Sequence, residues 1–190
     1  MRSLFAALAL LVATPALAQV DASVIPDDAP EWKPLATAVA DAKAGDKTIV
    51  LHGYAAWCGW CSRLDNDTYT DDRVQAYLAE HFEGARLDIE DPTTVEFYDF
   101  TLPMAWLAAG IGVSSTPTTV FVDGASGEII TRLPGYADAE TFLLALQFVH
   151  EEAYDEMSFQ AFRESRAPSD PDEETDDAPA GPPMLPSAGG

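Results

Sequence analysis

The sequence predicts one α/β domain over residues 30–165, with a central mixed β-sheet flanked by helices. Segments rich in β-branched residues alternate with segments whose apolar residues recur at helical spacing. Two later strand segments are spaced as a hairpin, and a long helical pattern closes the domain. Strand–helix units followed by a hairpin and a final helix imply a mixed sheet.

The first half of the domain is expected to supply three helices and two strands. Gly45 ends the first helix, and Asp71 with Asp72 caps the third. The expected positions are a helix at 35–43, a buried strand at 48–54 ("TIVLHGY"), a helix that starts at the cysteines, a helix from 71 to 82 and a strand at 85–90.

The second half begins with "TTVEFYDFTLPMAWLAAGIGV", residues 93–113, which we expect to be an apolar helical segment broken at Pro103. "TTVFVD" and "EIITRL" predict two strands joined by a glycine-containing turn. A closing helix is expected from Ala137 to about Phe162.

Both ends of the chain differ in composition from the domain. Residues 1–18 combine a basic start, a short apolar run and Ala-Leu-Ala, which predicts a cleaved export signal and a mature start near Gln19. Residues 19–29 are interpreted as a leader, and residues 166–190 as a disordered acidic, proline-rich tail. We therefore expect an exported protein, soluble after cleavage, in the periplasm.

The charge excludes some partner classes. The formal net charge is −22, and losing the arginine of the signal makes it −23. Nucleic acid is excluded because phosphate contacts need basic groups that this chain lacks, and an anionic membrane surface is disfavoured for the same reason.

"WCGWC", residues 57–61, holds the only two cysteines, which leaves three readings of the pair. A structural staple would close a very short loop and stabilise the fold by only about 2 kcal/mol. A zinc site needs four ligands, and His52, His81 and His150 lie in different segments. A redox pair fits best, since a Cys-x-x-Cys beside a βαβ pattern is a redox signature. Staple and soft-metal roles stay open as minor alternatives.

Cys58 is expected at the N-terminus of a helix, directly after a short connection from the strand at 48–54. Unpaired N–H groups and the helix dipole there favour a thiolate and lower the pKa of the thiol from about 8.5. Cys61 lies three residues further on the same helical face. The two sulfurs are thus able to close a disulfide while only Cys58 is presented to a partner.

The segment "YAAWCGWC" followed by "SSTPTTVFVDGASGEIITRLPGY" resembles the thioredoxin superfamily in motif order. The stretch "WCGWCSRLDNDTYTDDRVQAYLAEHFEGARLDIED" is similar to exported thioredoxin-like proteins related to the C-terminal domain of the thiol reductase DsbD, and to sulfur-oxidation thioredoxins. The resemblance covers about residues 35–150. It implies a thioredoxin fold with an extra helical segment before the strand that a cis-proline opens.

The resemblance also implies roles for matched positions. Cys58 would attack a partner's disulfide and Cys61 would resolve the mixed disulfide. Pro117 would be a cis-proline facing the cysteines, and Thr116 would offer backbone groups to an extended substrate segment. We expect a monomer that reduces protein disulfides without a cofactor or metal, fed by a membrane thiol donor of the DsbD type. The opposite direction, oxidase or isomerase, and a Cu- or Zn-binding carrier stay open.

Two residues depart from the family pattern. Thioredoxins commonly place a buried carboxylate six residues before the first cysteine, where this chain has His52. His52 is either a base for Cys61 or a hydrogen-bonded strand histidine without a catalytic part. Arg86 falls where the family often has a lysine beside that carboxylate, so we expect Arg86 to pair elsewhere.

The remaining candidates are substrate contacts around the cysteines. Gly59 and Trp60 separate the two cysteines, and the absence of a histidine there favours a reducing or intermediate potential. Trp60 is either a partner contact or packed over the helix, whereas Trp57 is expected mainly to pack locally. The apolar segment between Glu90 and Pro117 is expected to add a core-covering helix, with a partner groove as the alternative.

Overall fold

The computed structural model describes residues 29–167, so the predicted signal and nearly all of the leader and tail lie outside the described part. The domain boundaries stay predictions. The helices and strands are α1 (Leu35–Gly45), β1 (Thr48–Tyr54), α2 (Gly59–Asp67), α3 (Asp72–His81), β2 (Phe82–Asp88), β3 (Thr94–Phe97), β4 (Phe100–Pro103), α4 (Met104–Gly110), β5 (Thr118–Val122), β6 (Ile129–Pro134), α5 (Ala139–His150) and α6 (Phe159–Arg166).

The central sheet has four strands in the order β2-β1-β5-β6. β1 runs parallel to β2 and antiparallel to β5, and β5 is antiparallel to β6. This arrangement confirms the predicted mixed sheet. The carboxyl ends of β1, β2 and β6 therefore meet the amino end of β5 at one edge of the sheet.

Buried side chains cover both faces of the sheet, because successive residues of a strand point to opposite sides. On β1, Ile49 and Leu51 belong to a core that α1, α4 and the β3–β4 hairpin also line. Val50 points to the other core, which α3, α5 and α6 complete. Within residues 29–167, no helix combines the length and apolar content needed to cross a membrane.

The boundary between α3 and β2 lies earlier than predicted. Asp71 does cap α3, since its side chain accepts hydrogen bonds from the backbone N–H groups of Arg73 and Val74 at 2.9 and 3.3 Å. Phe82, expected on the helix, is instead the first residue of β2 and pairs in register with Thr48. Its side chain is buried, and it would be buried equally well on the helix or on the strand. Pairing with β1 therefore decides that Phe82 belongs to the strand.

The expected helical segment at residues 93–113 is wrong in its first half. β3 and β4 form an antiparallel hairpin, and only Met104–Gly110 is helical. The alternation of β-branched and aromatic residues before Pro103 fits the two-residue period of a strand. Tyr98 turns the hairpin with a φ of 51°, and its hydroxyl donates to the carbonyl oxygens of Asp123 and Gly124 at 3.0 and 2.7 Å.

The predicted closing helix is two helices. α5 ends at His150, and Glu152 takes a left-handed backbone with a φ of 54°. Acidic residues at a helix C-terminus oppose the helix dipole, which favours ending the helix there. Ser158 then caps α6 by accepting a hydrogen bond from the backbone N–H of Ala161 at 3.2 Å.

Candidate active site

Cys58 and Cys61 form a disulfide at the start of α2, with their Cα atoms 5.2 Å apart. The chain leaves β1 through a three-residue connection, and Cys58 is the N-cap residue of α2. Its sulfur accepts a hydrogen bond from the backbone N–H of Cys61 at 3.1 Å. The helix N-terminus thus directs an N–H group at the first sulfur, as the sequence predicts.

The disulfide rests on a small apolar cluster. Cys58 is 7% exposed and Cys61 2%, and both pack with Ala55 and the partly buried Ile89. Ile89 follows β2, and its backbone N–H donates to the carbonyl of Tyr54 at 3.0 Å. The loop after β2 therefore lies beside the disulfide.

The Thr116–Pro117 peptide bond is cis and directly precedes β5. Thr118 pairs with Gly53 near the carboxyl end of β1, which places Pro117 at the sheet edge where the disulfide connection begins. Pro117 is buried, and its carbonyl accepts a hydrogen bond from the N–H of Gly135 at 2.8 Å. Strand pairing thus brings this loop to the same edge as the cysteines.

Behind the disulfide, Asp65 and Arg86 form a buried ion pair. Arg86 Nη2 donates to Asp65 Oδ2 at 3.0 Å. The side chain of Arg86 is 7% exposed and that of Asp65 is 2% exposed. Arg86 therefore pairs with a residue other than His52, as predicted. Asp65 lies four residues after Cys61 on the buried face of α2. Residues at that spacing are neighbours on a helix, so Asp65 and Cys61 share the buried face of α2.

His52 is fully buried in the centre of this polar cluster. Its Nδ1 lies 3.3 Å from the hydroxyl of Tyr69, and its Nε2 lies 4.0 Å from Asp65 Oδ1. The ring stacks between Trp32 and Tyr54, with centroids 5.9 and 6.0 Å away. This packing holds the imidazole in one orientation, with Nε2 toward the carboxyl group.

Burial shifts the pKa values of His52 and Asp65 in the directions that favour the neutral form of each group. Desolvation, reinforced by the positive charge of Arg86, lowers the pKa of His52 from 6.5 to about 3. Desolvation also raises the pKa of Asp65 from 3.8, although the Arg86 charge and hydrogen bond oppose this shift. At neutral pH His52 is an uncharged ring, and the carboxyl group of Asp65 is a stronger proton acceptor than an ordinary aspartate.

The surface around the disulfide is aromatic. Trp57 is 68% exposed, so the expected local packing is not found, and its role as a substrate contact stays a prediction. Trp60 is 56% exposed and also contacts Tyr136, with ring centroids 5.6 Å apart, so it is partly packed, and its role as a partner contact stays a prediction. Gly59 is exposed, and a β-carbon there would meet no atom within 4 Å. The first turn of α2 is therefore open to an approaching partner.

The described residues give no support to a metal site. Among residues 29–167, no three His, Cys, Asp or Glu side chains are grouped so that they could hold a metal ion. His81 and His150 do stack, with centroids 4.0 Å apart, but they lie at the C-terminal ends of α3 and α5, away from the cysteines.

A mixed sheet with helices on both faces and a Cys-x-x-Cys disulfide at a helix N-terminus define a thioredoxin-fold protein. The chain belongs to the thioredoxin superfamily, because residues 35–150 match the family model for a thioredoxin-like domain. The family and the cysteine pair together support a thiol–disulfide oxidoreductase.

The relatives agree with this class. The thiol:disulfide interchange protein DsbD of Ralstonia nicotianae is 30% identical over 110 residues, which are 58% of this chain and 17% of that protein. DsbD of Yersinia pestis is 33% identical over 107 residues, or 56% of this chain and 16% of that protein. This chain therefore spans about a sixth of the length of the curated relatives it matches.

Solved structures show the same fold. A thioredoxin-fold protein from Helicobacter pylori is 25% identical with a TM-score of 0.54, covering 64% of this chain and 84% of that one. A thioredoxin from Thermus thermophilus is 26% identical with a TM-score of 0.52, covering 64% and 87%.

Asp65 is the site residue that sequence reasoning missed. The signal was present, because a helix starting at the cysteines puts residue 65 one turn after Cys61 on the same face. The family pattern places the buried carboxylate on the strand, at the position that His52 occupies. In the structure the carboxyl group belongs to Asp65 on α2 instead, and Arg86 binds this group.

Proposed function

We propose that this protein is an extracytoplasmic thiol–disulfide oxidoreductase that reduces protein disulfides through Cys58 and Cys61. The observation that carries the proposal is the disulfide at the start of α2, where the sulfur of Cys58 receives the backbone N–H of Cys61. The same N–H group and the helix dipole would stabilise a Cys58 thiolate once the pair is reduced.

The reaction proceeds through a mixed disulfide. The Cys58 thiolate attacks one sulfur of the partner's disulfide, a new S–S bond forms, and the partner's other sulfur leaves as a thiolate. Cys61 then loses its proton and attacks the Cys58 sulfur, which closes the protein disulfide and releases the second partner thiol. Two electrons pass from the protein to the partner.

We assign the proton acceptor for Cys61 to Asp65. Both residues are buried on one face of α2 at a spacing of four, and Asp65 Oδ1 makes no hydrogen bond within the described residues. With a pKa of about 3, His52 is a poor base at neutral pH. His52 serves instead as a positioning residue, whose Nε2 faces the carboxyl group at 4.0 Å.

The partner's disulfide would reach Cys58 as part of an extended segment. Thr116 and Pro117 border the disulfide edge of the sheet, where the Thr116 backbone would pair with that segment. Trp57, Gly59 and Trp60 are exposed on the other side of the connection and would contact its side chains.

The preferred direction is reduction, by a monomer in the periplasm. An oxidising compartment holds a dithiol oxidised unless a donor reduces it, so a membrane thiol donor of the DsbD type would be required. The likeness to proteins named thiol:disulfide interchange protein supports such a partner, as do the predicted export signal and the uncharged Gly59-Trp60 dipeptide.

Equilibration in redox buffers of known potential tests the direction. We expect a two-electron transition below about −220 mV, read from tryptophan fluorescence and from alkylation of the free thiols. Trp57 and Trp60 adjoin the cysteines in sequence, so their emission should report the change. A transition near about −120 mV would identify an oxidant, and no transition would overturn the enzyme.

Replacing Asp65 by asparagine should slow the second step selectively. Asparagine keeps the shape but accepts no proton at neutral pH, so we expect resolution of the mixed disulfide to slow by about 100-fold. Formation of the mixed disulfide should change little, because that step requires no proton transfer from Cys61. Acid quenching followed by mass spectrometry separates the two rates with a peptide disulfide as substrate.

Asp67→Asn is the matched control, since Asp67 lies two residues further along α2 and its side chain is 46% exposed. Its resolution rate should equal that of the unmodified protein. A normal resolution rate in Asp65→Asn, together with a slow one in His52→Gln, would transfer the proton-accepting role to His52.

A further inference from the structure

Three tryptophans are strongly exposed, two beside the cysteines and one on α4, the helix that is hydrogen-bonded to the loop next to the disulfide. Trp57, Trp60 and Trp106 are 68%, 56% and 72% exposed, and we call them the tryptophan surface. Trp106 lies in the first turn of α4, where the backbone N–H of Ala105 donates to the carbonyl of Asp91 at 3.1 Å. Asp91 belongs to the loop that packs beside the disulfide. Large apolar side chains exposed together indicate an interaction site.

Carboxylates border this surface. We call Asp88, Glu90 and Asp91 the acidic loop: Asp88 is the last residue of β2, Glu90 and Asp91 follow the strand, and together they flank Ile89, which packs against the disulfide. None of the three forms an ion pair with another described residue.

Arg63, Arg73 and Arg86 form ion pairs, whereas Arg132 donates, within the described residues, only to the backbone carbonyl of Ile111. Arg63 binds Asp67 at 2.9 Å, and the guanidinium group of Arg86 is buried against Asp65. Arg73 at the start of α3 binds its own capping residue, Asp71, at 2.9 Å. The carboxylates of the acidic loop, which form no ion pair within the described residues, therefore make the potential beside Ile89 negative.

We propose that the tryptophan surface and the acidic loop select partners whose reactive disulfide is flanked by lysine or arginine. Exposed indole rings bind cations over their faces, and carboxylates beside them strengthen the attraction. The Arg63 guanidinium already lies 5.5 Å from the Trp60 ring centroid, so this face accepts such a group. The inference rests on the proposed function and names its substrate class.

Opposite charges act mainly on the rate of encounter. Attraction between separated surface charges raises the association rate at low ionic strength and is screened as salt is added. An acidic segment would be repelled by the acidic loop and would gain no contact with the tryptophans. The disulfide chemistry is the same for a basic and an acidic partner segment. Their difference in reactivity therefore appears only in the rate of mixed-disulfide formation.

Two peptide disulfides test the inference. They share one sequence around the cystine, except that lysines flank it in one and glutamates in the other. The reduced full chain is mixed with each peptide, and each rate is divided by the rate with dithiothreitol, which removes the peptide's intrinsic reactivity. We expect the lysine peptide to react at least tenfold faster at low salt, with the ratio falling several-fold in 0.5 M salt.

The triple variant Asp88→Asn/Glu90→Gln/Asp91→Asn should reduce this preference to about twofold, and Trp106→Ala should slow the lysine peptide several-fold at either salt. A matched triple variant at the opposite end of the sheet, Asp46→Asn/Glu128→Gln/Asp155→Asn, should keep the full preference. Equal rates for the two peptides, or an unchanged preference in the acidic-loop variant, would overturn the inference. Failure to reduce either peptide would instead overturn the proposed function.

Discussion

Cys61→Ser is expected to stop the reaction halfway and to accumulate a covalent complex with a partner through Cys58. The variant keeps the attacking sulfur at the helix N-cap but lacks the thiol that releases it. Turnover with a protein disulfide should fall by at least about 1,000-fold, while a mixed disulfide builds up to one equivalent. Non-reducing gels and intact-mass spectrometry should show the complex, and dithiothreitol should cleave it by reducing the mixed disulfide.

Cys58→Ser is the matched variant, because it changes the other sulfur by the same single atom. It should lose turnover to the same extent and form no complex, since Cys61 is only 2% exposed and lies inside the first turn of α2. Complexes trapped equally well through Cys61 would contradict the assignment of attacking and resolving roles. Complexes in neither variant, with turnover intact in both, would place the chemistry outside this pair.

The parts of the fold that the sequence predicts are those with one dominant local signal. Residues 48–54 begin with an apolar, largely β-branched run and end in an aromatic residue, and β1 has these limits in the structure. Asp71 offers a capping side chain directly before an amphipathic helix, and α3 begins there. In both places the local pattern and the tertiary packing favour the same answer.

The errors arise where two structures satisfy the same pattern. Residues 93–113 are apolar enough for a helix, but the hairpin lets Tyr98 bind two carbonyl groups of the β5–β6 connection. That partner lies 25 residues away and cannot be read locally. The candidate site shows the same contrast. The redox role of the cysteines is predicted from their spacing alone. The environment of His52 depends on Asp65, which lies near His52 only because of the path of α2 in the folded protein.

The placement of Asp65 and Arg86 explains how a histidine is tolerated at the centre of the sheet. Burial, and then the positive charge of Arg86, lower the pKa of His52 to about 3, so the imidazole is neutral. The negative charge that the family usually supplies from the strand comes from α2, one turn beyond Cys61. Asp65 therefore serves both the stability of the fold and the proposed reaction, because the carboxyl group that is proposed to accept the Cys61 proton also pairs with the buried Arg86.

Arg86→Leu is therefore expected to destabilise the protein by about 3–5 kcal/mol at pH 7, since it leaves the Asp65 carboxylate buried without a partner. Urea unfolding followed by circular dichroism measures the loss. Arg63→Leu, which removes the exposed partner of Asp67, is the control and should shift the midpoint little. In Asp65→Leu/Arg86→Leu, where no charge is left unpaired, much of the stability should return.

The pH dependence of Arg86→Leu distinguishes an unpaired charge from a simple cavity. Without the arginine, the pKa of Asp65 in the folded state should rise further above its ordinary value of 3.8. The folded variant then holds a proton that the unfolded chain has released, so its stability decreases as pH rises from about 4 toward 7. Removing Arg86 also removes the second of the two causes that lower the pKa of His52, so His52 disfavours folding at low pH less in the variant than in the unmodified protein, which moves the difference in the same direction. The destabilisation relative to the unmodified protein should therefore be smaller at pH 5 than at pH 7, whereas lost packing alone would give the same difference at both.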